Sequence, residues 1–428
     1  MEIKLAYGKT GLEVTLPDDV IVDIIEPRYV EAVKDPVEAL CDAIRNPVGT
    51  KPLKELILPT DTVGIVFSDI TRPTPNDVIL PVILEELSFL PAGNIVLFNA
   101  TGTHRPSTDA ELQGMLGDDI VKNYRIIQND ADDKGSHEFI GTTKSGNKIR
   151  IHKKFLNCDK KILTGFIEPH FFAGFSGGPK ACMPGLAQSE TIFRNHNAIN
   201  MDSANATWGK TYGNPVWDEA LEAAKMAEPT FIVNVSLNRD KKITGVFAGE
   251  LEKAHAGGTA FVKENAMVPA EEPYDIVITS NSGYPLDLNL YQSVKGMSAA
   301  AQIVKKGRSI IAAAECRDPM PEQGGFSQLL SNADSSEELL AKVRSKGFFM
   351  QDMWQAQILA LILQKADVYF YSGNLSDQQI IDAFLRPCHD IGETVRMLVR
   401  KHGAATRICV LPEGPQTIAY LKTKKTSK

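Results

Sequence analysis

Short apolar runs alternate with stretches of helical periodicity along most of this chain, and that rhythm constrains the fold more than any other feature. It argues for an α/β architecture. Apolar runs at 63–68, 95–99, 149–152, 161–165 and 231–235 read as strands. A helix is expected to begin near Thr108, where Ser107 or Thr108 can cap it and Glu111 lies three residues beyond Thr108. Residues 218–228 and 251–267 read as amphipathic helices, the second weakened by Gly257 and Gly258. Around 269–273 the chain turns polar and proline-rich, which suggests a domain boundary. The rhythm then restarts, with strands at 275–280, 309–314, 368–371 and 407–411 and helices at 289–306, 336–346 and 353–365. Two α/β domains are expected, 1–270 and 271–428, the second mainly parallel and doubly wound, with the active site in the cleft between them. The last strand and tail fit equally well packed back on the first domain.

A length of 428 residues exceeds one ordinary core and agrees with two domains. The net charge of -7 leaves no basic stripe, which argues against a nucleic-acid partner. The opening MEIKLAYGKT has no apolar signal region, no apolar run reaches membrane length, and the ending KTKKTSK reads as a solvated tail. Six widely spaced cysteines without a CxxC pair fit neither a zinc site nor a disulfide framework. Reduced thiols in a cytoplasmic protein are expected.

Several apolar runs end in clusters unsuited to plain loops. Run 63–68 leads into SDITRPTP, 95–99 into NATGTHRP, 161–165 into GFIEPHFFAGFSGGPK, and 275–280 into SNSGYPLD. Ligands of open α/β sheets sit outside the carboxyl ends of the strands, where each cluster lies. In GFSGGPK, Gly177 and Gly178 let backbone amides approach an anion. Ala181 follows Lys180, so the run lacks the hydroxyl of a P-loop. Lys180 is either a solvent lysine after a tight turn or an amine held in a restricted loop, neutral and nucleophilic.

Among eight histidines, His104, His170 and His196 lie in polar or glycine-rich settings. Their separation excludes a local metal motif; two of them flanking a pocket would serve as acid and base, and a third could ligate a borderline metal. His137, His152, His255, His389 and His402 lack such settings and are assigned no role. Arg72 follows a strand end and can hold a carboxylate with its fork of donors. Tyr291 and Lys295 share a helical face with Gln292 beside them, although Lys295 reads equally as an exposed helix lysine. Asp69 and Thr71 can orient Arg72, contact a cofactor, or cap a turn.

Taken together, SDITRP, TGTHRP, EPHFFAGFSGGPK, RNHN and YQSVKG resemble the nickel-dependent lactate racemase family, in order and over nearly the whole chain. The segment 165–185 is the specific part; the others are weak alone. The resemblance implies a nickel pincer nucleotide, pyridinium-3-thioamide-5-thiocarboxylic acid mononucleotide, tethered to Lys180 through a thioamide. It implies His196 as the protein's nickel ligand, and His104 and His170 as the catalytic acid and base. Arg72, Gln292 and Lys295 would hold substrate; Asp69, Thr71, Gly177, Gly178 and Tyr291 would contact the cofactor. Trp354 matches a pocket residue in a thin motif.

The implied partners are a small 2-hydroxy acid and, in the cell, the enzymes that make the cofactor. Removing the Cα proton of a 2-hydroxy acid would leave a carbanion beside a carboxylate. Reversible hydride transfer with a transient 2-keto acid avoids it, one histidine serving each face. Phe171 and Phe172 suggest an apolar wall suited to lactate, or ordinary core aromatics. Malate, longer aliphatic, aryl and sugar acids are the alternatives. A nicotinamide-dependent dehydrogenase would need a GxGxxG fingerprint, which the sequence lacks. A non-catalytic protein that binds the ligand or cofactor is the remaining alternative.

Overall fold

A computed structural model describes residues 1–18, 20–318, 325–403 and 405–422. The chain forms two compact units, Tyr29–Lys263 and a second made of Met1–Arg28 with Glu264–Lys428.

The first unit is built on a six-stranded sheet in the order Ile243–Gly249, Phe231–Leu237, Lys160–Phe166, Val63–Ser68, Ile95–Ala100, Arg125–Gln128. Every neighbouring pair is parallel except Ile243–Gly249 against Phe231–Leu237. Successive side chains of a strand point to opposite faces, and here both faces are covered. Ile65, Phe67, Leu97 and Val233 pack into one core with Leu40, Ile79 and Ile83. Val66, Phe98, Leu163 and Ile232 pack into the other with Trp217, Ala220 and Ala254. That two-sided burial explains why these strands read as unbroken apolar runs, each fully buried Ile or Phe contributing about 1.5–3 kcal/mol. Thr108 caps Asp109–Leu116 in the expected reciprocal pairing with Glu111. Leu251–Ala266 runs helically through Gly257 and Gly258. A methyl on Gly258 would stand 2.2 Å from Ile167 Cδ1, so glycine there permits close packing of the helix.

The second unit holds a six-stranded sheet, entirely parallel, in the order Arg386–Pro387, Ala366–Tyr371, Val304–Ala313, Tyr274–Ser280, Arg407–Leu411, Ile21–Ile24. The winding reverses beside Tyr274–Ser280, as expected of a doubly wound sheet. The chain's first 28 residues correct the expected boundaries, since they belong to this unit and not to the first. Ile21–Ile24 pairs with Arg407–Leu411, and Ile3, Leu5, Val14 and Leu16 share a core with Ile276, Ile278 and Val410. The last strands also stay here. Arg407–Leu411 lies within the sheet, and Ile418–Leu421 pairs with Met267–Ala270 inside the segment expected to be a linker. The expected helix 289–306 ends at Ala301, because Val304 already pairs with Tyr274 as strand. Residues 423–428 of the tail lie outside the described residues. Among the described residues no helix is long and apolar enough to cross a membrane.

His152 carries a consequence of the two-sided packing. It is 4% exposed, edge-on to His137 at 5.7 Å and to Phe98 at 5.8 Å, and its Nδ1 has no hydrogen-bond partner among the described residues. Burial, then the neighbouring His137, lowers its pKa to about 4. An unfolded histidine titrates near 6.5, so between these values the unfolded chain binds the proton that the folded chain refuses. Stability should therefore fall as pH drops from about 6.5 to 4. A His152→Phe variant should show a shallower decline of melting temperature across that window, measured by circular dichroism.

Candidate active site

At the carboxyl end of Val63–Ser68 the chain turns through Asp69, whose carbonyl accepts the Arg72 N–H at 3.1 Å. The Asp69 carboxylate is spent on two side chains. Thr71 Oγ1 donates to Oδ1 at 2.8 Å, and His104 Nδ1 meets Oδ2 at 2.6 Å. Burial alone would raise the Asp69 pKa, but the bond and charge of His104, then Arg72 and Thr71, hold it below the usual carboxylate value. An ionised Asp69 keeps the proton of His104 on Nδ1 and leaves Nε2 as the exchanging nitrogen, an arrangement suited to an acid/base imidazole. Asp69, steadied by Thr71, thus holds the ring of His104.

The strand Lys160–Phe166 feeds the glycine-rich segment. Pro169–His170 and Gly174–Phe175 pair as a short hairpin carrying Phe171 and Phe172 at its tip. Gly177 and Gly178 have φ of 75° and 53°, and Gly178–Ala181 forms a single 3-10 turn that carries Lys180. A methyl on Gly177 would stand 2.8 Å from Asn234 Oδ1, and one on Gly178 2.6 Å from the His255 ring. Both positions therefore require glycine for conformation and for space. Asn234 Oδ1 accepts the Gly178 N–H at 2.7 Å, and His255 Nε2 meets the Ser176 carbonyl at 2.9 Å. Lys180 Nζ lies 5.6 Å over the Phe172 ring. Burial, then the Arg72 charge, lowers its pKa from the ordinary 10.5 to about 7, against the opposing pull of Glu168. The amine therefore has a substantial neutral, nucleophilic fraction near neutral pH.

Phe172 is the hub of this cluster. Its ring meets His170 edge-on at 4.5 Å and His196 edge-on at 5.0 Å. His170 stacks on Phe171 at 5.1 Å, and its Nδ1 accepts from the Ala173 N–H at 3.3 Å. Both phenylalanines are buried, yet they border the site. His196, 6% exposed, follows Ser189–Asn195, and its Nδ1 donates to the Ile192 carbonyl at 3.1 Å. Burial, then the Lys180 charge, lowers its pKa to about 3, so it is a neutral imidazole with its lone pair on Nε2. That is the form and the outer hydrogen bond typical of a metal-ligating histidine.

Lys180 and His196 line a narrow crevice with Asn195, Met183, Val216 and Trp217. In its wall the buried Trp217 Nε1 and Asn195 Oδ1 have no hydrogen-bond partner among the described residues. Among the described residues no group of three or more His, Cys, Asp or Glu could hold a metal. One neutral histidine beside a nucleophilic lysine fits a metal whose other ligands arrive on a tethered organic group.

The expected contacts of the second unit cluster separately. Leu290–Ala301, capped by Asn289 through the Gln292 N–H at 3.0 Å, carries Tyr291, Gln292 and Lys295, all half-buried. Gln355 Nε2 donates to the Tyr291 carbonyl at 2.5 Å, and Tyr291 OH reaches Asp352 Oδ1 at 3.4 Å. Trp354 is buried on the neighbouring helix Met353–Lys365, two residues from Asp352. Sequence reasoning missed Asn234, Glu168 and His255. Asn234 had a signal: a polar residue inside the otherwise apolar FIVNV. His255 had none, because its role comes from a glycine loop distant in sequence.

The lactate racemase N-terminal domain profile matches residues 7–209, and the C-terminal domain profile residues 269–419. A lactate racemase of Thermoanaerobacterium thermosaccharolyticum is 38% identical, over 98% of this chain and 99% of that protein. One of Lactiplantibacillus plantarum is 39% identical, over 88% of this chain and 89% of that protein. The solved lactate racemase apoprotein from T. thermosaccharolyticum superposes with a TM-score of 0.92 at 37% identity, covering 98% of this chain and 100% of that one.

The electrostatics of Lys180 give a direct test. In chain produced without cofactor-synthesis enzymes, acylation of Lys180 followed by peptide mass spectrometry should titrate with a midpoint near pH 7, not 10.5. Arg72→Ala removes a neighbouring cation and should move that midpoint upward. A midpoint unchanged by the substitution would contradict the role given to Arg72.

Proposed function

Since the chain belongs to the lactate racemase family, we propose that it is a racemase that interconverts the enantiomers of lactate, using a nickel pincer nucleotide tethered to Lys180. The observation that carries this reading is the pairing in one crevice of an amine with its pKa lowered to about 7 and a buried, neutral His196 that donates through Nδ1 to a backbone carbonyl. Lys180 would hold the nucleotide covalently and His196 would ligate nickel. When bound, the group supplies a reversible hydride acceptor for the substrate Cα, with a 2-keto acid as the transient product.

The chain's own residues supply the proton transfers and the positioning. His104, held by Asp69 through Nδ1, exchanges the hydroxyl proton of one enantiomer through Nε2. His170, whose Nδ1 accepts a backbone N–H, does the same for the other. The Arg72 fork holds the substrate carboxylate so that reorientation of the keto acid exposes its opposite face. The buried rings of Phe171 and Phe172 favour the small methyl of lactate over a second carboxylate. The enzyme would depend on the cofactor-synthesis enzymes of its cell and work in the cytoplasm, where its free cysteines stay reduced.

The test is co-expression with those enzymes, followed by intact mass, nickel content and chiral assay of a 2-hydroxy-acid panel. A mass increment on Lys180, nickel near stoichiometry and inversion of lactate are expected. No increment and no inversion of any panel member would sink the proposal, and faster inversion of malate would redirect the substrate. His104→Ala and His170→Ala should each lower kcat by about 10²–10⁴-fold while keeping the Lys180 increment.

A further inference from the structure

Gly165 sits fully inside the strand Lys160–Phe166, where a side chain would normally be favoured. A glycine at such a place usually marks close approach by another backbone or by a ligand. Backbone approach does not explain this one. A methyl on Gly165 would stand 3.9 Å from Gly177 Cα, 3.7 Å from Asn234 Nδ2 and 3.8 Å from Ser68 Oγ, all ordinary contact distances. Alanine would fit the protein, so the position leaves a space of about one methyl group.

The walls of that room are polar. Asn234 is the register partner of Gly165 on the adjacent strand Phe231–Leu237 and is wholly buried. Its Oδ1 takes the Gly178 N–H, which fixes the amide so that Nδ2 is the donor, and Nδ2 has no hydrogen-bond partner among the described residues. A buried donor left unpaired is costly, and such groups are normally satisfied. Ser68, last residue of Val63–Ser68, brings a hydroxyl from the other side. Ser68 ends its strand, Gly165 is next to last in its own, and Asn234, at the middle of Phe231–Leu237, meets the loop that carries Lys180 through the Gly178 N–H.

We propose that the space over Gly165 is a subsite for an oxygen acceptor on the ribose-phosphate arm of the nucleotide, held by Asn234 Nδ2 and the Ser68 hydroxyl. The inference rests on the cofactor reading above. Asn234 then has two tasks: its Oδ1 shapes the tether loop and its Nδ2 receives the nucleotide, so loop geometry and arm binding are set by one amide.

The experiment uses the full chain in two arms. In the first, wild type, Gly165→Ala, Ser68→Ala and Asn234→Asp are co-expressed with the cofactor-synthesis enzymes, and intact mass gives the fraction modified at Lys180. In the second, chain without cofactor is titrated by calorimetry with nicotinic acid mononucleotide, nicotinic acid riboside and inorganic phosphate. Asn234→Asp keeps the acceptor for Gly178 but replaces the donor with a carboxylate. Gly165→Ala should keep the wild-type melting temperature, and both it and Asn234→Asp should show reduced modification and bind the mononucleotide about tenfold or more weakly. Loss confined to the phosphate-bearing probes assigns phosphate to the subsite, and loss with the riboside assigns ribose. Wild-type modification and affinity in folded Gly165→Ala would overturn the subsite while leaving the cofactor reading intact; should that variant melt early, Ser68→Ala decides in the same way. A wild type with neither a Lys180 increment nor mononucleotide binding would overturn both.

Discussion

A strand buried on both faces can hold almost no polar side chain along its length, and the rest of this structure follows from that constraint. Val63–Ser68, Ile95–Ala100, Lys160–Phe166 and Phe231–Leu237 are packed above and below by apolar side chains, which exclude chemistry from the middle of the sheet. Polar groups gather where the strands run out: Asp69 after the first, His104 after the second and the Lys180 loop after the third, with the buried Asn234 in the middle of the fourth as the exception. The sheet's parallel sense gathers those three ends on one edge. An antiparallel arrangement of the same strands would divide them between opposite edges.

The same burial tunes the groups it gathers, and neighbours make the three imidazoles unlike one another. His104 is half exposed and bound to an ionised carboxylate, which favours proton exchange. His170 leans on two aromatic rings with a backbone N–H at Nδ1. His196 is buried beside a lysine and donates to a carbonyl, a setting that keeps it neutral. These differences come from side chains distant in sequence, so three histidines in similar polar contexts become functionally distinct only after folding.

That distinction marks how far the sequence could be read. The strands at 63–68 and 407–411 were legible to the residue because their apolar runs stop at turn-forming and polar residues. The carboxyl-end clusters were legible too, since they interrupt strong periodic patterns. The first 28 residues were not. Ile21–Ile24 is a short, largely exposed edge strand whose partner lies nearly 400 residues away, and nothing local specifies that pairing. Residues 302–306 were misread because a short run such as QIVKK satisfies helical and strand patterns alike, and only pairing with Tyr274 decides. The bond of Asp69 to His104 is not legible either, because it is a fact of distance and not of motif.

Arg72 and Lys180 bring the electrostatic argument to its last step. Two cations near one another are a poor arrangement for a folded protein, and here burial, then that repulsion, lowers the lysine's pKa. On the proposed reading that cost exists only before the cofactor is attached. A thioamide nitrogen carries no charge, so tethering removes the repulsion and with it the penalty for burying the amine. Attachment therefore relieves strain already present in the chain, while Arg72 keeps its charge for the substrate carboxylate. The residue that binds substrate in the finished enzyme would thus also help prepare the lysine from which that enzyme is made.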